Sequence, residues 1–225
     1  MECLIPVNWA PTHDLIRLRK ATVLAADAPV PAWVEPVLRQ IPWVVVRRGR
    51  VRDGMMPVGV RGLTRSQRFA AFVAVADIAA RFSPEDLTVS GYVIEQKRKD
   101  AVPALNALGA VANLLMRRNY RWGPGGSVGF EIATGVATAT ALSDLDLILR
   151  QDHRLEPNQA IELLGALAQA APARIDVMLE TPNGGVSLAD VAARPGQMLV
   201  RTPDGPRLSN DPWMADVGEL LLGGS

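Results

Sequence analysis

The six residues Asp144-Leu145-Asp146-Leu147-Ile148-Leu149 constrain this chain more than any other stretch. They read as a strand, on which successive side chains point to opposite faces. Leu145, Leu147 and Leu149 then enter a core, while Asp144 and Asp146 share the other face. Two carboxylates on one face repel each other unless positive charge sits between them. A divalent ion meets that need, because Mg²⁺ is held by one or two carboxylates together with substrate phosphates. Upstream, Gly125-Gly126-Ser127 opens residues 128–133, which read as a helical turn or two. A glycine turn at a helix start offers free N–H groups to a phosphate. Gly126 and Ser127 are therefore candidate phosphate ligands, and Asp144 and Asp146 candidate metal ligands. Together they are the equipment of phosphoryl or nucleotidyl transfer.

A third acid, Asp176, stands among apolar neighbours in Arg174-Ile175-Asp176-Val177-Met178-Leu179, also read as a strand. An isolated buried carboxylate is expensive. Asp176 is tolerable if its strand lies beside the first and all three acids share metal; otherwise it faces water on an edge.

The remaining elements follow in order. Residues 1–13 look irregular, and 14–19 alternate enough for a short strand. Pro31 opens a helix through Val34, Val37, Leu38 and Ile41. A strand at 43–48 and a returning strand at 57–62 flank a basic, glycine-containing hairpin loop. Thr64 and Gln67 have capping-box spacing, so a helix is expected from Thr64 to about Phe82. Residues 90–100, with Lys97-Arg98-Lys99-Asp100, read as a solvated connection between domains. A helix at 102–118 follows, then a helix at 157–170 with Ile161, Leu164 and Leu167 inward. Ser187 caps a short helix, residues 198–202 form a last strand, and 215–225 are expected to fray. The expected fold is α/β (α+β), with a small N-terminal domain at 1–93 and a C-terminal domain at 94–225 that carries a mixed sheet.

The formal charge of +1 argues against a long polynucleotide as ligand. The distribution is uneven: residues 1–100 hold 15 Lys and Arg against 10 Asp and Glu, a balance of +5, and residues 101–225 have a balance of −4. A basic half facing an acidic, metal-binding half suits an anionic substrate, though two solvated surfaces would show the same split. The lone Cys3 excludes an internal disulfide and fits a reducing cytoplasm. No signal peptide is visible, and the longest apolar runs are too short and too polar to span a bilayer. His13 and His153 are too isolated to suggest a metal site or a triad.

The glycine–serine turn, Asp144-x-Asp146 and the later Asp176 resemble the polymerase-beta type of nucleotidyltransferase. Sixteen residues separate Ser127 from Asp144, more than that superfamily's usual interval, which implies an inserted loop. A narrower resemblance covers nearly the whole chain. Pro57-Val58-Gly59-Val60-Arg61-Gly62 with Arg65 and Arg68, Gly126-Ser127-x-Gly129, Ser143-Asp144-Leu145-Asp146-Leu147, Gly185-x-x-Leu188, Arg201-Thr202-x-x-Gly205-Pro206-Arg207-Leu208 and Asp211-Pro212-Trp213 look like the phosphoribosyl-dephospho-CoA transferases of malonate decarboxylase. That resemblance implies a cytoplasmic enzyme joining phosphoribosyl-dephospho-CoA to a serine of the apo acyl-carrier subunit. The donor is 2′-(5″-triphosphoribosyl)-3′-dephospho-CoA, and pyrophosphate leaves. Neither nucleic acid nor membrane is implied as a partner.

Such chemistry suits the acids. Two Mg²⁺ ions, or Mn²⁺, could activate the serine hydroxyl and stabilise the leaving oxygen. Asp144 and Asp146 are then the bridging ligands, and Asp176 holds the metal on the nucleophile side and could accept the serine proton. Gly126 and Ser127 hold the outer phosphates. Arg61, between two glycines, is placed for close approach to a phosphate. Arg65 and Arg68 fall in the first turns of the expected helix. Arg201 and Arg207 are candidates through the resemblance. Two other readings share these residues: a nucleotidyltransferase that adenylylates a protein or small molecule, and a non-catalytic binding module of the same fold.

Overall fold

A computed structural model describes residues 10–20, 24–64, 66–89, 93–171, 173–193 and 196–214. Two sheets dominate it. The first has the order β4-β3-β2-β1-β5, from β1 (Leu15–Leu18), β2 (Trp43–Val46), β3 (Met55–Arg61), β4 (Arg68–Ala74) and β5 (Ile78–Phe82). Every neighbouring pair in it is antiparallel. Helix α1 (Val34–Gln40) buries Val34, Val37 and Leu38, and Val34 and Leu38 join a core with Ile16, Val44, Val58 and Val73.

The segment 64–82 corrects the expectation of a helix. The Thr64–Gln67 contact exists, with Thr64 N donating to Gln67 Oε1 at 3.1 Å. It closes a tight turn instead, since Gly62 N donates to Gln67 O at 2.8 Å. Beyond it β4 pairs along its whole length with β3, from Arg61↔Arg68 to Met55↔Ala74. A short 3-10 turn at Val75–Asp77 then leads into β5. The run Phe69-Ala70-Ala71-Phe72-Val73 satisfies both helical and strand periodicity. The apolar edge of β3 decided between them by burying Ala71 and Val73 completely.

The second sheet has the order β11-β10-β9-β8-β7-β6, from β6 (Arg121–Pro124), β7 (Leu145–Arg150), β8 (Ile175–Thr181), β9 (Gly184–Ser187), β10 (Met198–Thr202) and β11 (Gly205–Ser209). It is mixed: β7 and β8 run parallel, joined by α6 (Pro157–Ala170), as parallel neighbours require a crossover. Helices α2 (Pro84–Val89), α3 (Gln96–Ala101), α4 (Pro103–Arg117), α5 (Gly126–Thr134) and α7 (Leu188–Ala193) complete the chain. Leu145, Leu147 and Leu149 are fully buried in one core with Val111 and Leu115 of α4 and Leu163 and Leu167 of α6.

Three smaller expectations are corrected. The inward face of α6 is Ala160, Leu163 and Leu167, whereas Ile161 is half exposed. Residues 198–202 are not the last strand, because β11 returns against them as a hairpin. Arg98 is not a solvated connector; its guanidinium grips the buried Glu131 through two bonds of 2.9 and 2.8 Å. The terminal stretches 1–9 and 215–225, and Gly91 and Arg65, lie outside the described residues. Among the described residues no helix is long and apolar enough to cross a membrane.

Candidate active site

The two sheets face each other across a cleft of about 790 Å³. Its basic wall comes from the first sheet: Arg47, Arg61 and Arg68, with His13 before β1. Its acidic floor comes from the second: Asp146 on β7 and Asp176 on β8. The alternation read in the sequence is what turns these acids away from the leucine core.

Asp146 and Asp176 are direct register partners in the parallel pair β7–β8. Burial pushes the Asp146 carboxyl up, and the charges of Asp176 and Asp144 push it further, against the opposing pull of Arg68 and Arg61. Asp146 therefore feels both of the other acids. Asp144 stands one residue before β7, 3.9 Å from Arg174 Nε, while Arg174 Nη2 lies 3.5 Å from Asp176 Oδ2. Arg174 is largely exposed, so this bridge is weak. Among the described residues no three His, Cys, Asp or Glu side chains are gathered closely enough to hold a metal by themselves. The donor set nevertheless fits Mg²⁺, which takes one or two carboxylates and completes its shell with water and substrate phosphates.

Gly126 shows why glycine opens α5. Its φ is +56°, and a Cβ there would run into the Asp146 carboxylate. The strand and the helix start are held together by Gly125 N donating to Asp146 O at 2.8 Å. Gly126 thus lines the cleft, whereas Ser127 is turned inward and buried. The sixteen-residue interval from Ser127 to Asp144 holds the rest of α5 and a loop from Gly135 to Ser143. Glu131 ties that loop down: its Oε2 accepts from Thr138 N at 2.9 Å and Ala139 N at 2.8 Å. Burial would raise the Glu131 carboxyl, but Arg98 and these amides outweigh it and hold it below its ordinary range.

On the opposite wall, Arg61 and Arg68 face each other in the last register pair of the β3–β4 hairpin. Like charges directly opposed across strands are destabilising, which marks the pair as suited to an anion. The Arg61 guanidinium also lies 5.9 Å from the Phe130 ring centre on α5, a cation–π contact joining the two halves. Arg201 on β10 lines the cleft, but Arg207, opposite Val200 on β11, is not part of its lining.

The profile of the phosphoribosyl-dephospho-CoA transferase MdcG C-terminal domain matches residues 92–212, and that of the N-terminal domain matches residues 11–84. The chain belongs to the phosphoribosyl-dephospho-CoA transferase family. A phosphoribosyl-dephospho-CoA transferase of Pseudomonas putida is 43% identical over 207 residues, covering 92% of this chain and 97% of that one. Those of Azotobacter vinelandii (strain DJ) and Pseudomonas aeruginosa (strain PAO1) are 42% and 38% identical, each across 89% of this chain and 93% and 92% of theirs. No solved structure matches. In this member of the family, the cleft lies where the two matched regions meet.

Sequence reasoning gave His13 no role, yet the structure sets it at the cleft. His13 Nε2 is 2.8 Å from Glu180 Oε1, and Arg48 binds the same oxygen. Burial alone would raise the Glu180 carboxyl; the His13 and Arg48 hydrogen bonds reverse that and hold it at about 2. Arg47 was missed as well. The one available signal was the Arg47-Arg48 pair ending a β-branched strand, where alternation sends one side chain to each face.

Proposed function

We propose that this protein transfers phosphoribosyl-dephospho-CoA from 2′-(5″-triphosphoribosyl)-3′-dephospho-CoA to a serine of the apo acyl-carrier subunit of malonate decarboxylase. The observation that carries the reading is the Asp146–Asp176 register pair beneath the Arg61–Arg68 pair, both lining one cleft. Family membership supplies the donor class; the acids and arginines supply a chemistry for it.

In the transfer, the serine Oγ attacks the α-phosphorus of the triphosphate. The Oγ–P bond forms, the bond from phosphorus to the bridging oxygen breaks, and pyrophosphate leaves with that electron pair. The serine proton passes to a carboxylate, and Asp176, exposed at the cleft floor, is the acid assigned to receive it. Arg61 and Arg68 hold the outer phosphates with bidentate forks. Gly126 lets the α5 backbone approach the same group. Asp144, Asp146 and Asp176 would hold Mg²⁺, or Mn²⁺ in its place, which supplies charge to stabilise the leaving oxygen and a lower pKa for the attacking hydroxyl. The protein's task is placement and electrostatics.

The test is to incubate the protein with the triphosphoribosyl donor, Mg²⁺ and purified apo carrier, then weigh the carrier. The carrier should gain the mass of phosphoribosyl-dephospho-CoA and pyrophosphate should appear in equal amount. Excess chelator should stop both. A carrier of unchanged mass, with ATP consumed instead, would replace this reading with adenylylation.

A further inference from the structure

We propose that the cleft contains a second anion subsite, formed by Arg47 of the first half and Arg201 of the second, which takes the diphosphate of the dephospho-CoA portion of the donor. The inference rests on the function just proposed and adds how the rest of the substrate is held.

The register of the second sheet lays out the distances. Arg201 stands opposite Gly185, and Gly185 opposite Glu180. Glu180 lies four residues beyond Asp176 on β8, roughly 13 Å along a strand. The Arg201 side chain reaches part of the way back, its Nη1 lying 3.7 Å from Met178 Sδ. On the facing wall Arg47 leaves the end of β2, its N donating to Pro57 O at 3.0 Å. Its Cγ passes over Gly59, where a Cβ would come within 3.4 Å. Both arginines line the cleft.

Neither has an acidic partner among the described residues. The nearby carboxylate, Glu180, is already engaged by Arg48 and His13. Arg47 and Arg48 thus divide the work: Arg48 locks the two halves together through Glu180, and Arg47 lines the cleft. Two uncompensated guanidinium groups on opposite walls repel until an anion lies between them. Ile148 and Met178, paired with each other two residues beyond Asp146 and Asp176 on β7 and β8, line the same cleft and carry no charge.

The donor's own chemistry has the same order. One end is the triphosphate, whose α-phosphorus reacts. Two sugar rings away is the diphosphate that joins adenosine to the pantetheine arm. With the triphosphate at Asp146, Arg61 and Arg68, the nucleoside crosses the uncharged stretch and the diphosphate arrives at Arg47 and Arg201. A planar guanidinium binds such oxygens bidentately, and a diphosphate offers oxygens to both walls.

Isothermal titration with two probes tests this on the whole protein at fixed salt. Dephospho-CoA carries the diphosphate without the triphosphate, and inorganic triphosphate is the converse. In the variant carrying both Arg47→Ala and Arg201→Ala, dephospho-CoA affinity should fall about tenfold or more, while triphosphate affinity stays within about twofold. Arg68→Ala should show the reverse selectivity. For the full donor, the double variant should raise KM and keep kcat. Equal loss for both probes, no loss for dephospho-CoA, or no dephospho-CoA binding by the wild type would each overturn the subsite. Both side chains are exposed, and a thermal melt matching wild type shows that the variant folds. Absence of carrier modification by the wild type counts against the transfer reaction alone, since the titration answers for the subsite by itself.

Discussion

Asp146 and Asp176 sit opposite each other in the parallel β7–β8 register, with no strand between them to separate their charges. The fold therefore holds two carboxylates where burial, joined by the charges of Asp176 and Asp144, raises the Asp146 carboxyl above its ordinary range. That arrangement opposes folding and favours cation binding.

The first prediction follows from this conflict. Asp146→Asn should lower carrier modification on the order of 10³-fold or more. Its thermal midpoint without metal should equal or exceed that of wild type, because the variant no longer carries a disfavoured charge. Mg²⁺ should raise the wild-type midpoint and leave the variant's unchanged. Differential scanning calorimetry with and without Mg²⁺ reads both effects. A variant much less stable than wild type would make Asp146 a structural residue.

Gly126 gives the second. Gly126→Ala places a methyl group against the Asp146 carboxylate and forces an L-residue to φ +56°. The left-handed backbone alone costs about 1–2 kcal/mol. The carboxylate must also shift, so activity should fall much further than stability. Parallel measurement of urea midpoint and kcat separates the two, and equal loss in both would show that Gly126 serves only the turn.

The third concerns pH. Burial lifts the Asp14 carboxyl to about 6, although Arg81 and Arg150 both pull it down. The folded protein keeps a proton that the unfolded chain releases near pH 4. Stability should therefore fall as pH rises from about 4 to about 6, by on the order of 3 kcal/mol from this group, and level off above. Glu180 works the other way: held at about 2, it contributes stability that is lost as pH falls from about 4.5 toward 2. Urea melts of wild type and Asp14→Asn across pH 4–7 should diverge through the Asp14 window. Parallel pH profiles would remove Asp14 from the account.

Much of the second half was legible because its signals are local. Period two in 144–149 placed the acids on one face and the leucines in the core. Gly125-Gly126 marked the turn, and Pro157 and Ser187 marked helix starts. The two sheets were less legible. Residues 64–82 fit two periodicities, and only pairing with β3, a tertiary contact, decided for strand. Arg98 looked like linker because its partner, Glu131, is thirty-three residues away. His13 and Glu180 meet across 167 residues, a distance at which no spacing rule operates. Asp146, Asp176, Arg61, Arg68 and Arg201 were named as candidates from the sequence and line the cleft, whereas His13 and Arg47 line it without having been so named.

The last prediction tests that hidden connection. Glu131 is buried, yet four groups converge on its carboxylate: two guanidinium nitrogens of Arg98 and the amides of Thr138 and Ala139. Arg98 Nη2 also donates to Ala139 O at 2.8 Å, so α3, α5 and the 135–143 loop meet at one ion pair. That loop ends at Asp144. Removing one partner strands the other inside the protein, so Glu131→Ala should cost about 3 kcal/mol or more. Arg98→Ala should cost a similar amount. Since each single change already breaks the network, the double variant should be far less destabilised than the sum of the two. Denaturant melts of the four proteins complete the cycle. Additive losses would mean that Glu131 and Arg98 act separately, Glu131 holding the loop through the Thr138 and Ala139 amides without help from the ion pair.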